Sequence, residues 1–202
     1  MPYKPTERVY RKMARMDAVD GSSYRVYGYA STFERYLLYP DEEGGFYEQI
    51  DRRAFDHADM GDVIMQYDHE GRVYARTSNG TMALSVDDHG LRVEADLSTT
   101  ESARQLWEEI HAGLITQMSF CFTVADSKID RASNTGIILA IDKVYDVSAV
   151  SIPANPGTEI EARSAWDGAI LSARAERREK RLRKRRMEIR IKIMEVSADE
   201  QV

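Results

Sequence analysis

The side chains of this 202-residue chain that could carry covalent or acid–base chemistry are few: four histidines, one cysteine and a small number of serines and carboxylates in apolar surroundings. His69 follows the apolar run Val63-Ile64-Met65-Gln66-Tyr67 and opens a loop, where a rigid scaffold presents reactive groups. His57 falls among Asp56 and Asp59, His89 in an Asp-Asp-His-Gly turn, and His111 near the end of an amphipathic stretch, where it favours a helix dipole. Each of those three has a solvated or structural reading. Ser119 stands between Met118 and Phe120 in a strand-like run whose large hydrophobes share one face, so a small polar residue is forced onto the other. An exposed strand serine is the plain reading. A serine hydroxyl becomes a nucleophile only when a neighbouring base takes its proton. Cys121, two residues on, shares that face and is the rival nucleophile, although no nearby basic cluster would stabilise its thiolate. Asp146 interrupts an apolar strand beside Val144, Val147 and Val150; a carboxylate there must be paired or solvated. A histidine would be the functional partner, and Arg72 or Arg76 a purely structural one.

Other chemistries lack their signatures. Asp68, His69 and Glu70 are adjacent, so in a strand they alternate faces, and no His-Glu-x-x-His pair accompanies them. A metal site is therefore not expected. No Gly-rich loop followed by Lys-Ser/Thr marks a nucleotide site. A single cysteine excludes an intramolecular disulfide and a Cys-rich zinc centre, and suits a reducing compartment.

The elements that must position these residues are mostly short strands. Alternation over Ser23–Phe33, a hairpin around Pro40-Asp41-Glu42-Glu43-Gly44-Gly45, and strands near 72–77, 81–86 and 91–97 are separated by turns such as Ser78-Asn79-Gly80. Asp51 reads as the N-cap of a short helix to about Met60, with Phe55 inward. Ala103, Leu106, Trp107, Ile110 and Leu114 have the spacing of an amphipathic helix, capped by Thr99 or Thr100 and stopped at Gly113. Strands at 115–124, 137–141 and 143–152 complete the body. Residues 1–20 read as a loose arm or an edge strand.

About seven strands and two helices predict an α+β, β-rich body, and a closed antiparallel β-barrel surrounded by helices would hide the strand edges. The expected organisation is an N-terminal arm (1–22), a body (23–157) and a basic C-terminal helical appendage (158–202). Within the appendage, Met187–Ile193 alternates strictly, leaving helix and strand both open. Hydrophobic residues at 43% suffice for a core. The net charge of −6 conceals a division: residues 1–173 carry −11, residues 174–192 carry +8. No run of about 18 apolar residues is present, so no membrane span is expected. The segment MPYKPTERVYRKMARMD lacks the apolar region of a secretory signal.

Taken in order, Tyr27-Gly28-Tyr29-Ala30-Ser31-Thr32-Phe33, Ala54-Phe55, Asp68-His69, Gly90-Leu91-Arg92-Val93, Gly113-Leu114-Ile115-Thr116-Gln117-Met118-Ser119-Phe120 and the closing Tyr145-Asp146-Val147-Ser148-Ala149-Val150-Ser151-Ile152-Pro153-Ala154-Asn155-Pro156 resemble the tailed-phage (HK97-type) prohead serine proteases, relatives of the herpesvirus assembly proteases. The resemblance covers roughly Tyr24 to Pro156. It implies a β-barrel core, a serine endopeptidase activity in capsid maturation, and the roles of general base for His69, nucleophile for Ser119 and third member for Asp146. Relatives commonly carry Glu at the third position, so the shorter Asp must sit closer to the imidazole. The oxyanion would be met by backbone N–H groups of Ala154 or Asn155.

The resemblance further implies that no cofactor is required and that the substrate is the scaffolding segment of the major capsid protein, cut inside the assembling prohead in the host cytoplasm, with self-cleavage. A homodimer follows by analogy. Nucleic acid is not expected as a partner, since no aromatic interleaving marks such a surface; the basic segment would hold an acidic partner instead. The contrasting reading is a catalytically silent assembly or scaffolding protein built on the same body.

Overall fold

The period-two segments pair into one extended system in the computed structural model, which describes residues 8–18, 23–40, 45–151 and 166–199. The strands are β1 (Arg8–Ala18), β2 (Arg25–Thr32), β3 (Tyr36–Tyr39), β4 (Phe46–Ile50), β5 (Ile64–Tyr67), β6 (Glu70–Arg76), β7 (Met82–Val86), β8 (Gly90–Asp96), β9 (Gln117–Asp130) and β10 (Thr135–Val150). The helices are α1 (Glu101–His111) and α2 (Asp167–Asp199). The chain divides into two compact units, Met1–Trp166 and Asp167–Val202.

The spatial order is β3-β4-β10-β9-β1-β2-β8-β7, with β5 joined to β10 and β6 joined to β5. This corrects the expected closed antiparallel barrel of about seven strands. The described residues form ten strands, the sheet is mixed, and no pairing closes it: β3 bonds only to β4, and β7 only to β8. The edges are limited instead by shortness, four residues in β3 and five in β7. Among the described residues there are two helices, α1 in the first unit and α2 in the second, in place of the expected surround of helices.

The mixed character arises along one margin of β10. Residues Thr135–Ile138 receive β4 in parallel, and Asp146–Ala149 receive β5 in parallel. Between them Asp59 makes an isolated parallel bridge to Lys143. The stretch 51–58, expected as a short helix, is a succession of tight turns with i→i+3 bonds, Ala54 N–H to Asp51 O, Asp56 to Arg53 and Ala58 to Phe55. Asp59 N–H donates to Asp142 O and its carbonyl accepts from Val144, drawing the chain onto β10 before a helix could lengthen. Phe55 does face inward, against Phe33 and Phe120. Arg8–Ala18 is neither a loose arm nor an edge; it lies between β9 and β2.

Helix α1 buries Ala103, Leu106, Trp107 and Ile110 of the predicted stripe, whereas Leu114 lies beyond its end and is exposed. Thr100 Oγ1 accepts from Ala103 N–H at 3.1 Å as the N-cap, and Gly113, at φ +73°, follows the last turn. Elsewhere in the first unit Trp166 is fully buried. Its indole N–H donates to Glu48 Oε2 at 2.5 Å, and Tyr36 also bonds this buried carboxylate. The ring lies over Gly136, where a Cβ would come within 2.5 Å of it, so only glycine admits the indole. In the second unit, residues 187–193 are helical.

Candidate active site

Strands β9 and β10 are long antiparallel neighbours, and their register sets Ser119 opposite Ser148 and Cys121 opposite Asp146. Alternation then puts Ser119 with Cys121, and Asp146 with Ser148, on one face. The other face carries Met118, Phe120 and Phe122, the two rings stacked at 4.4 Å. Both faces are covered here: Ser119 is 4% exposed and Cys121 fully buried, so the serine is not the exposed strand residue of the plain reading.

The imidazole arrives from β5. Tyr67 and Glu70 are register partners, leaving Asp68 and His69 as a two-residue connection to β6. Both have positive φ, +47° and +61°. That is the I′ form of hairpin turn, which suits right-twisted strands and for which Asp-Gly is a favoured pair. Asp68 tolerates the left-handed region well. His69 occupies the position where glycine would be easiest, and a non-glycine residue held there stores on the order of 1–3 kcal/mol. Because β5 runs parallel to β10 with Tyr67 beside Ala149, the turn ends close to the strand that bears Asp146.

His69 Nδ1 lies 2.6 Å from Asp146 Oδ1, and His69 Nε2 lies 2.7 Å from Ser119 Oγ. An ionised carboxylate only accepts, so Nδ1 donates to Asp146 and Nε2 of the neutral ring is left to accept from the serine hydroxyl. Asp146 Oδ1 also accepts from Ser148 Oγ at 2.7 Å, within the fully buried part of the strand. The side chains of His69 and Asp146 retain only 17% and 8% of their exposure, which limits screening by water. Three groups separated by 50 and 77 residues in the chain thus meet in one hydrogen-bonded row. Such a row can transfer a proton from the hydroxyl to the ring while the carboxylate steadies the resulting cation.

The remaining candidates lie elsewhere. His57 is exposed; His89 meets the Tyr29 ring edge-on at 4.5 Å; His111 stacks on Trp107 at 4.7 Å. Arg76 pairs with Asp62 at 2.9 Å rather than with Asp146. Ala154 and Asn155 lie outside the described residues. Ser148 is not among the residues that type and surroundings single out, although its i+2 spacing from Asp146 on an apolar strand is a usable signal. Asp68, weighed only as a metal ligand, fastens the turn: its carboxylate oxygens accept from Ser151 N–H at 2.9 Å and Ser151 Oγ at 2.8 Å.

Residues 12–168 match the family model described as Caudovirus prohead serine protease. No curated protein and no solved structure matches.

Proposed function

The chain belongs to the Caudovirus prohead serine protease family, serine endopeptidases of capsid maturation, and from that premise we propose that Ser119 is its nucleophile, His69 its general base and Asp146 the carboxylate that orients the base. The observation that carries the assignment is the placement of one imidazole within hydrogen-bond distance of both other groups, 2.7 Å from Ser119 and 2.6 Å from Asp146.

The reaction is ordinary acyl transfer. Ser119 Oγ attacks the scissile carbonyl as its proton passes to His69 Nε2. Asp146 stabilises the imidazolium, which then protonates the leaving amine, and water releases the acyl group by the reverse order of steps. The tetrahedral oxyanion requires preorganised donors, each worth about 2.7–4 kcal/mol in comparable enzymes. Backbone N–H groups of Ala154 and Asn155 are assigned that part. His69 faces Ser119 Oγ, which favours serine over Cys121 as the attacking group.

The family acts on capsid and scaffold proteins during prohead assembly. The scaffolding segment of the major capsid protein is the proposed substrate, with self-cleavage, inside the prohead in the host cytoplasm; a homodimer is the proposed assembly. No helix among the described residues is long and apolar enough to cross a membrane. The basic segment 174–192, at +8, is proposed to recruit the enzyme to an acidic partner in the shell. Incubating the capsid protein with wild-type and Ser119→Ala protein, then mapping the cuts by mass spectrometry, tests the assignment. Cleavage by the wild type alone is expected. Equal cleavage by Ser119→Ala would overturn it.

A further inference from the structure

The turn that presents His69 is held by a residue that touches none of the reacting atoms. Asp68 makes three bonds to the end of β10: its N–H donates to Ala149 O at 2.9 Å, and its two carboxylate oxygens accept from the Ser151 N–H and hydroxyl. Ala149 and Ser151 continue the strand that carries Asp146 and Ser148. The residue immediately before the imidazole is therefore tied to the strand bearing the carboxylate partner. The tie matters because the turn itself does not favour its occupant. Both φ angles are positive, and no glycine relieves them. A histidine in that position needs outside restraint to keep its ring aimed between two partners less than 3 Å away on either side.

We infer that Asp68 is a positioning residue for the base: by clamping Ser151 it holds the left-handed Asp68-His69 turn at the orientation in which the imidazole meets Ser119 and Asp146 together. The inference rests on the assignment of His69 as the base. Asp68 is exposed and its carboxylate bonds Ser151, so the neutral Asp68→Asn separates restraint of the turn from any effect of charge.

The test uses the full chain and a fluorophosphonate reagent, with attachment at Ser119 located by mass spectrometry and kinact and KI measured separately across pH. Asp68→Ala is expected to lower kinact by at least about tenfold, as small misplacements of a catalytic group do. KI should remain within about twofold, since reagent binding is not what the clamp controls. Asp68→Asn should recover most of the rate. Its amide oxygen accepts from Ser151 N–H, its amide N–H donates to the hydroxyl, and asparagine tolerates positive φ. Asp68→Gly, which frees the turn but cannot clamp, should stay as slow as alanine. The downfield Nδ1 proton resonance of His69 in NMR spectra should weaken in Asp68→Ala at equal fraction folded.

Wild-type kinact in Asp68→Ala overturns the inference. So does a loss that only follows the fraction unfolded, or a full recovery in Asp68→Gly. Failure of the underlying assignment looks different, because Ser119 would then go unlabelled in the wild type itself.

Discussion

Replacing Asp146 by asparagine keeps the shape of the side chain and removes one charge from beneath the imidazole. On the proposed assignment, once His69 has taken the serine proton its Nδ1 and Asp146 Oδ1 form an ion pair across 2.6 Å. At an effective dielectric constant of about 20, two unit charges at that distance attract by about 6 kcal/mol. The pair is largely withdrawn from water, at 17% and 8% exposure, so most of that attraction survives. A loss of this size corresponds to a rate reduction between about 10⁴ and 10⁵. The same substitution within a Ser-His-Asp triad lowers kcat by about 10⁴ because the ring is held in the wrong tautomer, a separate route to loss. Ser148 adds a condition specific to this site. Its hydroxyl donates to the same Oδ1 that receives Nδ1–H, so an asparagine amide can keep its oxygen there and preserve the tautomer. Asp146→Asn should therefore lose rate through charge, and adding Ser148→Ala should deepen the loss by freeing the amide to turn its NH2 toward Nδ1. The assay is fluorophosphonate labelling of Ser119 beside a thermal melt, with melting unchanged in the single variant. A single variant within tenfold of wild type would refute the reasoning.

Two further outcomes follow from features away from the triad. Lys143 Nζ meets Asp59 Oδ2 at 2.7 Å; that bond, with help from the Gly61 N–H, holds the Asp59 carboxyl below its usual range and raises the lysine above its own. A lowered carboxyl contributes stability above the ordinary carboxylate range and loses it as pH falls through the folded value; a raised lysine contributes below the ordinary lysine range and loses it as pH rises through the folded value. The urea midpoint difference between wild type and Lys143→Met should thus be level near neutrality and shrink toward both extremes. A difference that stays constant down to strongly acid pH would contradict the linkage. Truncation after Trp166, leaving the indole on Glu48, is expected to preserve Ser119 labelling while reducing incorporation into assembling shells. Equal incorporation would remove the recruiting role from the basic helix.

What could be read beforehand depended on how local the cause was. Four members of the α1 stripe, the Thr100 cap and the Gly113 stop are set by neighbours three and four residues apart and appear as expected; Leu114, past the stop, does not join them. Residue type and the resemblance single out Ser119, His69 and Asp146, and the His69 imidazole lies within hydrogen-bond distance of the other two. Closure of the sheet was not legible, because it depends on which distant strands meet β3 and β7. The parallel seating of β4 and β5 on one margin of β10 leaves no signature in either segment alone. The expected helix after Asp51 failed for a similar reason, since Asp59 is captured by Asp142 and Val144, far along the chain. In the strictly alternating run at 187–193, Met187, Ile189 and Ile191 stay exposed, so the alternation there is not the imprint of a buried strand face. Helix propensity of the Arg, Lys, Glu and Met content prevails there.

The Asp68-His69 connection carries a conformational cost. Glycine at position 69 would relax the hairpin, but it would also take away the N–H that the buried Asp146 carboxylate accepts, so the ease gained in the turn is set against a buried charge left with one bond fewer. The residue that strains the hairpin thus also steadies the neighbouring strand, and a library screened for heat tolerance alone has a reason to retain it.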